Sequence, residues 1–339
     1  MNSFADYELV EQLQPGNHGT FYLARPPARL NHADQVALKI LDRHATDNEF
    51  KRMAAELQLL IELRHPHLVD VLDAGHEDGR LFYAMRYYRD GSLPLGPAAD
   101  LAAVATQVAD AAEAAHALHE VGVAHRDIKP SNILLADGRG HLSDLGVANY
   151  ADANFTTTGS SPVGTLAYAD PRLIHGDPAG RASDVWSLGA TLHAAVVGHS
   201  VLGDIPNAHL AGAIEYVLSA VATVSPSCPS PLAEIVAKAT HVERPERFLT
   251  GQDMADELRS AARQLEASAP SAAAGPVGTP PGGVPSLVPP PSVGAPSQVA
   301  PPPGRPPPPG PPGGAPPPPP PGGLDQPTPP PLDLESNKS

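Results

Sequence analysis

The chain has 339 residues, a formal net charge of −15, 43 prolines, 30 glycines and one cysteine, a length that allows two domains or one large one. An acidic balance with only scattered basic residues argues against a nucleic-acid or anionic-membrane surface, and the lone Cys228 excludes an internal disulfide. The N-terminus, MNSFADYELVEQ, lacks an apolar signal region, and the most apolar helical stretch, Val185 to Leu202, is broken by Ser187, His193, His199 and Ser200, so a core helix is expected there rather than a membrane span, and the cytoplasm as compartment.

The first elements read as strands: Tyr7 to Val10, Thr20 to Ala24 after a Pro-Gly-Asn turn, and Gln35 to Leu41. Phe50 to Leu63 carries Met53, Leu57, Leu60 and Ile61 at helical spacing and stops at His65-Pro66. Two more strands are expected at Leu68 to Leu72 and Leu81 to Tyr87. Beyond Asp90-Gly91 the pattern turns helical, first over Ala98 to Val121. A polar segment with short strands follows, then a long loop from Tyr150 to about Ala169. The remaining helices are expected around Ser183–Val197, Leu210–Val221, Pro231–Thr240 and Gly251–Ala267. A small β-rich part thus precedes a larger helical one.

From about Ala267 the text becomes PPGGVPSLVPPPSVGAPSQVAPPPGRPPPPG and continues nearly to the end. With so few aromatic or large aliphatic residues it cannot bury enough apolar surface to offset its ordering entropy, so a disordered, polyproline-II-rich tail is expected. Such a segment serves as a spacer or as a ligand for a partner; the spacer is preferred.

The most informative stretch is HRDIKPSNILL, His125 to Leu135. It resembles the catalytic loop of bacterial, Hanks-type (eukaryotic-like) protein kinases in the serine/threonine version. The resemblance implies that Asp127 orients a substrate hydroxyl and accepts its proton, that Lys129 neutralises charge on the transferring phosphoryl group, and that Asn132 ligates magnesium. Ser143-Asp144-Leu145-Gly146 stands where the family has its D-F-G, and Asp144 would bind magnesium bridging the phosphates. Lys39 in Val36-Ala37-Leu38-Lys39 matches the phosphate-gripping lysine, with Glu56 as its helical partner. Ser183-Asp184-Val185-Trp186-Ser187-Leu188-Gly189 matches the family's D-x-W-S-x-G helix start, where Asp184 would cap the helix and hold the catalytic loop's backbone.

In this frame Leu13-Gln14-Pro15-Gly16-Asn17-His18-Gly19-Thr20-Phe21 occupies the position of the family's glycine-rich loop. Gly16 and Gly19 match its second and third glycines, and Gln14 replaces the first. Asn17, His18 and Gly19 would offer backbone N–H groups to phosphate, and Phe21 replaces the valine that roofs the adenine. Pro15 removes one donor and stiffens the approach. Leu13 joins the same wall. Met85 falls at the gatekeeper position; Arg86, Tyr87 and Tyr88 would form the hinge; Ala37 and Leu134 would sandwich the base. The helix that follows the hinge in the family is nearly deleted.

One departure concerns the substrate platform. Asp170-Pro171-Arg172 stands where the family has A-P-E, so Arg172 would face Arg247 as a costly like-charge pair unless Asp170, Glu243 or Glu246 compensates. The loop after Asp144 holds Thr156, Thr157, Thr158, Ser160 and Ser161, phosphorylation candidates that Arg126 would grip as phosphates.

The resemblance implies an α+β, two-lobed protein-kinase fold over residues 4–266, with the N-lobe at about 4–88 and the C-lobe at about 89–266, followed by the tail at 267–339. It implies an ATP-dependent serine/threonine kinase that uses Mg2+, for which Mn2+ can substitute, and acts on protein substrates. The second reading is a nucleotide-binding pseudokinase that scaffolds partners through its tail. The retained set of Lys39, Glu56, Asp127, Asn132 and Asp144 opposes it.

Overall fold

A computed structural model describes residues 3–16, 19–30, 34–44, 57–58, 61–97, 100–144, 162–206 and 209–268. Among the described residues, eight strands lie in the first half: β1 (Ser3–Phe4), β2 (Tyr7–Gly16), β3 (Gly19–Arg25), β4 (Val36–His44), β5 (Val71–Glu77), β6 (Arg80–Arg86), β7 (Ile133–Ala136) and β8 (Arg139–Leu142). The first six form one antiparallel sheet in the order β1-β2-β3-β4-β6-β5, and the last two form a separate hairpin. Asp-Gly turns close two of these hairpins, with Asp78 and Gly79 at φ 50° and 72°, and Asp137 and Gly138 at 52° and 74°. This is the left-handed geometry whose twist suits a two-residue hairpin.

Strand alternation divides the large sheet into two faces. Val36, Leu38, Ile40, Phe82 and Ala84 pack with Phe4, Tyr7 and Ala24 on one side. Ala37, Tyr83 and Met85 face the other way, against Leu57, Val69 and Tyr88. Of the helix expected over Phe50 to Leu63, residues 57–58 and 61–62 are described and helical. The strand expected at Leu68 to Leu72 begins later, at Val71. Leu68 and Val69 are instead tied to β8, by a parallel bridge between Leu68 and Leu142 and a 3.1 Å bond from Val69 N to the Leu142 carbonyl.

The second lobe is helical: α1 (Leu101–Glu120), α2 (Pro162–Leu166), α3 (Pro171–Ile174), α4 (Arg181–Val197), α5 (Leu210–Ser219), α6 (Ser230–Ala239) and α7 (Gly251–Ser268). Asp100 caps α1 by accepting from Ala103 N at 2.9 Å. The alanine-rich face of α1 lets α4, α7 and β8 approach closely around Leu118, Leu188, Leu192, Leu232 and Leu258, all fully buried. Two expectations are corrected here. The long loop is interrupted by α2. Asp184 does not cap its helix: Gly180 is the cap residue, and Ser183 Oγ accepts from Gly180 N at 2.9 Å. Among the described residues no helix is long and apolar enough to cross a membrane.

Candidate active site

The catalytic-loop residues sit between β-rich and helical parts because a buried carboxylate pins the chain there. Asp184, 1% exposed, accepts from His125 N at 2.7 Å, from Arg126 N at 2.9 Å and from His119 Nε2 at 2.8 Å. Arg126 lies at φ 68°, a left-handed conformation that disfavours a non-glycine residue by about 1–2 kcal/mol. The two backbone bonds to Asp184 hold that bend. So the expected support of the loop's backbone is present, although the capping role is not.

The bend presents Asp127 to its neighbours. Lys129 Nζ donates to both Asp127 oxygens, at 3.1 and 2.9 Å, and approaches Thr165 Oγ1 at 3.4 Å. Asn132 Nδ2 donates to the Asp127 carbonyl at 2.7 Å and to its Oδ2 at 3.0 Å. That turns the amide oxygen of Asn132 away from Asp127. His125 joins this loop to the next: its Nδ1 accepts from Asp127 N at 3.4 Å and its Nε2 donates to the Ser143 carbonyl at 2.9 Å. Burial pushes the His125 pKa down, which keeps the neutral tautomer these two bonds require.

Asp144 follows, at φ 54°. Its Oδ1 accepts from Lys39 Nζ at 2.7 Å and from Tyr83 OH at 2.6 Å. Burial opposes the charge on Asp144, but Lys39, the Tyr83 hydroxyl and the charge of Lys129 outweigh it and hold the carboxyl below the usual range. Lys39 is expected to pair with Glu56; Glu56 lies outside the described residues, and the partner the structure gives Lys39 is Asp144. Phe21 and Tyr83 are the cross-strand neighbours of Lys39, and its ammonium stands 4.8 Å from the Phe21 ring centre, within cation–π range.

A cavity of about 530 Å3 opens beside this cluster. Leu13, Phe21, Ala37, Met85, Tyr88 and Leu134 line it at one end; Lys129, Asn132 and Asp144 line it at the other. Tyr87, Arg89, Leu95 and Tyr168 also line it, and the chain runs from Gly91 to α1 with no helix among the described residues. Two candidates are placed differently. Arg86 lines another opening, with Asp70 and Asp90, and its backbone N–H donates to the Asp70 carbonyl at 3.1 Å. Gly19 pairs with Gly16 at the end of the β2–β3 hairpin, and a Cβ on it would sit 2.6 Å from the Ile40 carbonyl, so its lack of a side chain serves strand packing. Asn17, His18, Thr156, Thr157, Thr158, Ser160 and Ser161 lie outside the described residues.

An amide oxygen and a carboxylate on one cavity wall form an all-oxygen donor set, which fits a hard divalent cation such as Mg2+. Tyr83 is the residue that sequence reasoning missed. A tyrosine in a strand reads as core, and only its register opposite Lys39 sets it on Asp144.

The like-charge clash expected at the platform is absent. Asp170 and Arg247 are both buried, and Arg247 grips the carboxylate with Nη1 at 2.7 Å and Nη2 at 3.2 Å. Arg244 adds a bond at 3.1 Å. Arg172 turns outward to Asp177 at 2.9 Å. Asp170 therefore supplies the compensating charge.

Comparison with known proteins agrees with this geometry. Residues 7–256 match the protein kinase domain family, and the chain belongs to that family. Its relatives place it on the bacterial, Hanks-type serine/threonine branch. The chain is 37% identical over 206 residues to the serine/threonine-protein kinase PknK of Mycobacterium tuberculosis, covering 58% of this chain and 18% of that protein. It is 33% identical over 266 residues to PknJ of the same organism, covering 74% and 44%. The match to PknF is 32% over 281 residues, covering 76% and 56%. The chain thus spans little more than half of these relatives at most. Among solved structures, the PknI kinase domain of M. tuberculosis superimposes with a TM-score of 0.53 at 25% identity, over 76% of this chain and 97% of that one.

Proposed function

We propose that the chain transfers the γ-phosphoryl group of ATP to serine or threonine hydroxyls of proteins. The observation that carries this reading is the continuous polar chain that runs from Lys39 through Asp144, Ser143 and His125 to Asp127, Asn132 and Lys129, of which Ser143, Asp144, Asn132 and Lys129 line the cavity. Phosphoryl transfer asks the protein mainly for positioning and charge. The apolar end around Ala37, Met85 and Leu134 would take the adenine. Asp127, held by Lys129 and Asn132, would orient the incoming hydroxyl and accept its proton as the oxygen–phosphorus bond forms and the bond to ADP breaks. Lys129, beside Thr165, would lower the charge on the transferring group. Asn132 and Asp144 would hold Mg2+, or Mn2+ in its place, which when bound neutralises phosphate charge. Glu56 would meet Lys39 once a nucleotide draws that lysine from Asp144.

The kinase domain in this reading is residues 4–266, working in the cytoplasm where ATP is held, with residues 267–339 as a spacer. Autophosphorylation within Thr156–Ser161, gripped by Arg126, would order the substrate platform. The test is incubation of the purified chain with γ-labelled ATP, Mg2+ and a generic protein substrate beside an Asp127→Ala control. Label on serine or threonine with the wild type and background with the control is expected. Equal label on both overturns the reading.

A further inference from the structure

Tyr83 and Lys39 are directly opposite each other in the β4–β6 ladder, so both side chains leave the sheet on the cavity face. Both donate to the same oxygen of Asp144, at 2.6 and 2.7 Å. No donor among the described residues reaches the other oxygen, Oδ2, and Asp144 lines the cavity. Among the described residues, then, one oxygen of this cavity-lining carboxylate is held and its twin has no donor.

The two donors are not equivalent. Lys39 ends a four-carbon stem and can follow a phosphate. Tyr83 is a rigid ring, 8% exposed and packed among Ala37, Leu57, Val69 and Met85. When Lys39 turns to a nucleotide, the phenol still fixes the rotation of the carboxylate.

We propose that Tyr83 is a positioning residue for metal binding, orienting Asp144 so that Oδ2 meets the divalent cation that accompanies the nucleotide. The proposal rests on the kinase reading above. A ligating carboxylate is itself commonly hydrogen-bonded, and loss of such an outer partner lowers metal affinity about 10- to 100-fold. A tyrosine that merely fills the core would behave differently on removal of its hydroxyl alone.

The experiment uses the full chain and Tyr83→Phe, which keeps the ring. Binding of a fluorescent ADP analogue is titrated with Mg2+ and repeated in EDTA. The expected result is a half-saturating Mg2+ concentration raised about tenfold, with analogue affinity in EDTA and the thermal midpoint of the metal-free protein both close to wild type. Tyr83→Met, which keeps apolar bulk without a donor, should shift the Mg2+ dependence in the same direction. An unchanged Mg2+ dependence, or a parallel loss of affinity in EDTA, overturns the proposal and leaves the kinase reading standing. Failure of both variants to fold assigns Tyr83 to the core and overturns it too. A wild type whose nucleotide binding ignores Mg2+ overturns both.

Discussion

Asp170 holds two guanidiniums at once. Its carboxylate and the Arg247 side chain are fully buried together, and Arg247 also donates to the Ala182 carbonyl at 2.9 Å and the His241 carbonyl at 2.7 Å, with its guanidinium carbon 4.8 Å from the Trp186 ring centre. Residue by residue, the family's carboxylate has moved two positions toward the N-terminus, from 172 to 170. Asp170→Ala would leave Arg247 charged, buried and short of its counter-ion, a change expected to lower stability by about 3–5 kcal/mol. Arg172→Ala should change little, because that side chain is only half-buried and its ion pair with Asp177 stays in reach of water. Asp170→Ala combined with Arg172→Glu returns a carboxylate to the family's position and should recover part of the loss. Chemical denaturation of the three variants checks this order; an Asp170→Ala protein as stable as wild type would refute it.

At the scale of elements, α1, β8 and α7 meet around Asp110, which is fully buried on α1. Arg139 of β8 grips it with Nε at 2.7 Å and Nη2 at 2.6 Å, and Arg259 of α7 reaches it at 3.0 Å and Glu113 at 2.7 Å. His67, Asp110 and Glu113 have the grouping of a metal site, but the two guanidiniums already take the carboxylates. This contact needs close backbones. A Cβ on Gly140 would run into the Gln107 carbonyl of α1, a backbone atom that cannot swing aside. Gly140→Ala is therefore expected to push β8 off α1 and destabilise by about 1–3 kcal/mol. Because β8 leads into Ser143 and Asp144, turnover should fall together with the unfolding midpoint. Full stability and activity in Gly140→Ala would show that the strand has room to shift.

For the whole molecule, buried titratable groups set the response to acid. Burial lowers the pKa of His125 and His193 from the ordinary 6.5, and of the less buried His65 and His141 in the same direction. The unfolded chain then binds more protons than the folded one below about pH 6.5, so stability falls as pH drops through that value. Asp110 and Asp144 are depressed below 3.8, against the opposing effect of burial, by Arg139 and by Lys39 respectively. Their contribution is present above that pH and is lost as pH falls through the lower folded values. The thermal midpoint should be nearly flat above about pH 7, decline between about pH 6.5 and pH 5, and decline again below about pH 4. Calorimetry across that range checks it; a midpoint unchanged from pH 7 to pH 5 would contradict the histidine assignment.

The sequence by itself carried the fold class through the resemblance of an eleven-residue motif, and most of the longer strands and helices through periodicity, because both are local properties; the short β1, α2 and α3 it did not show. It placed Asp127, Lys129 and Asn132 within one short segment, and the resemblance supplied the roles expected of them. The resemblance, rather than periodicity, pointed to Leu13, Ala37, Met85 and Leu134, and the structure brings all four to one cavity. The sequence did not show that Lys39 meets Asp144, that Tyr83 meets Asp144, or that Asp170 rather than Glu243 or Glu246 answers Arg247. Those pairings join residues 105, 61 and 77 positions apart. Only the tertiary structure decides them, because strand register and helix docking set which buried charges meet, and a charge buried without a partner is too unfavourable to persist.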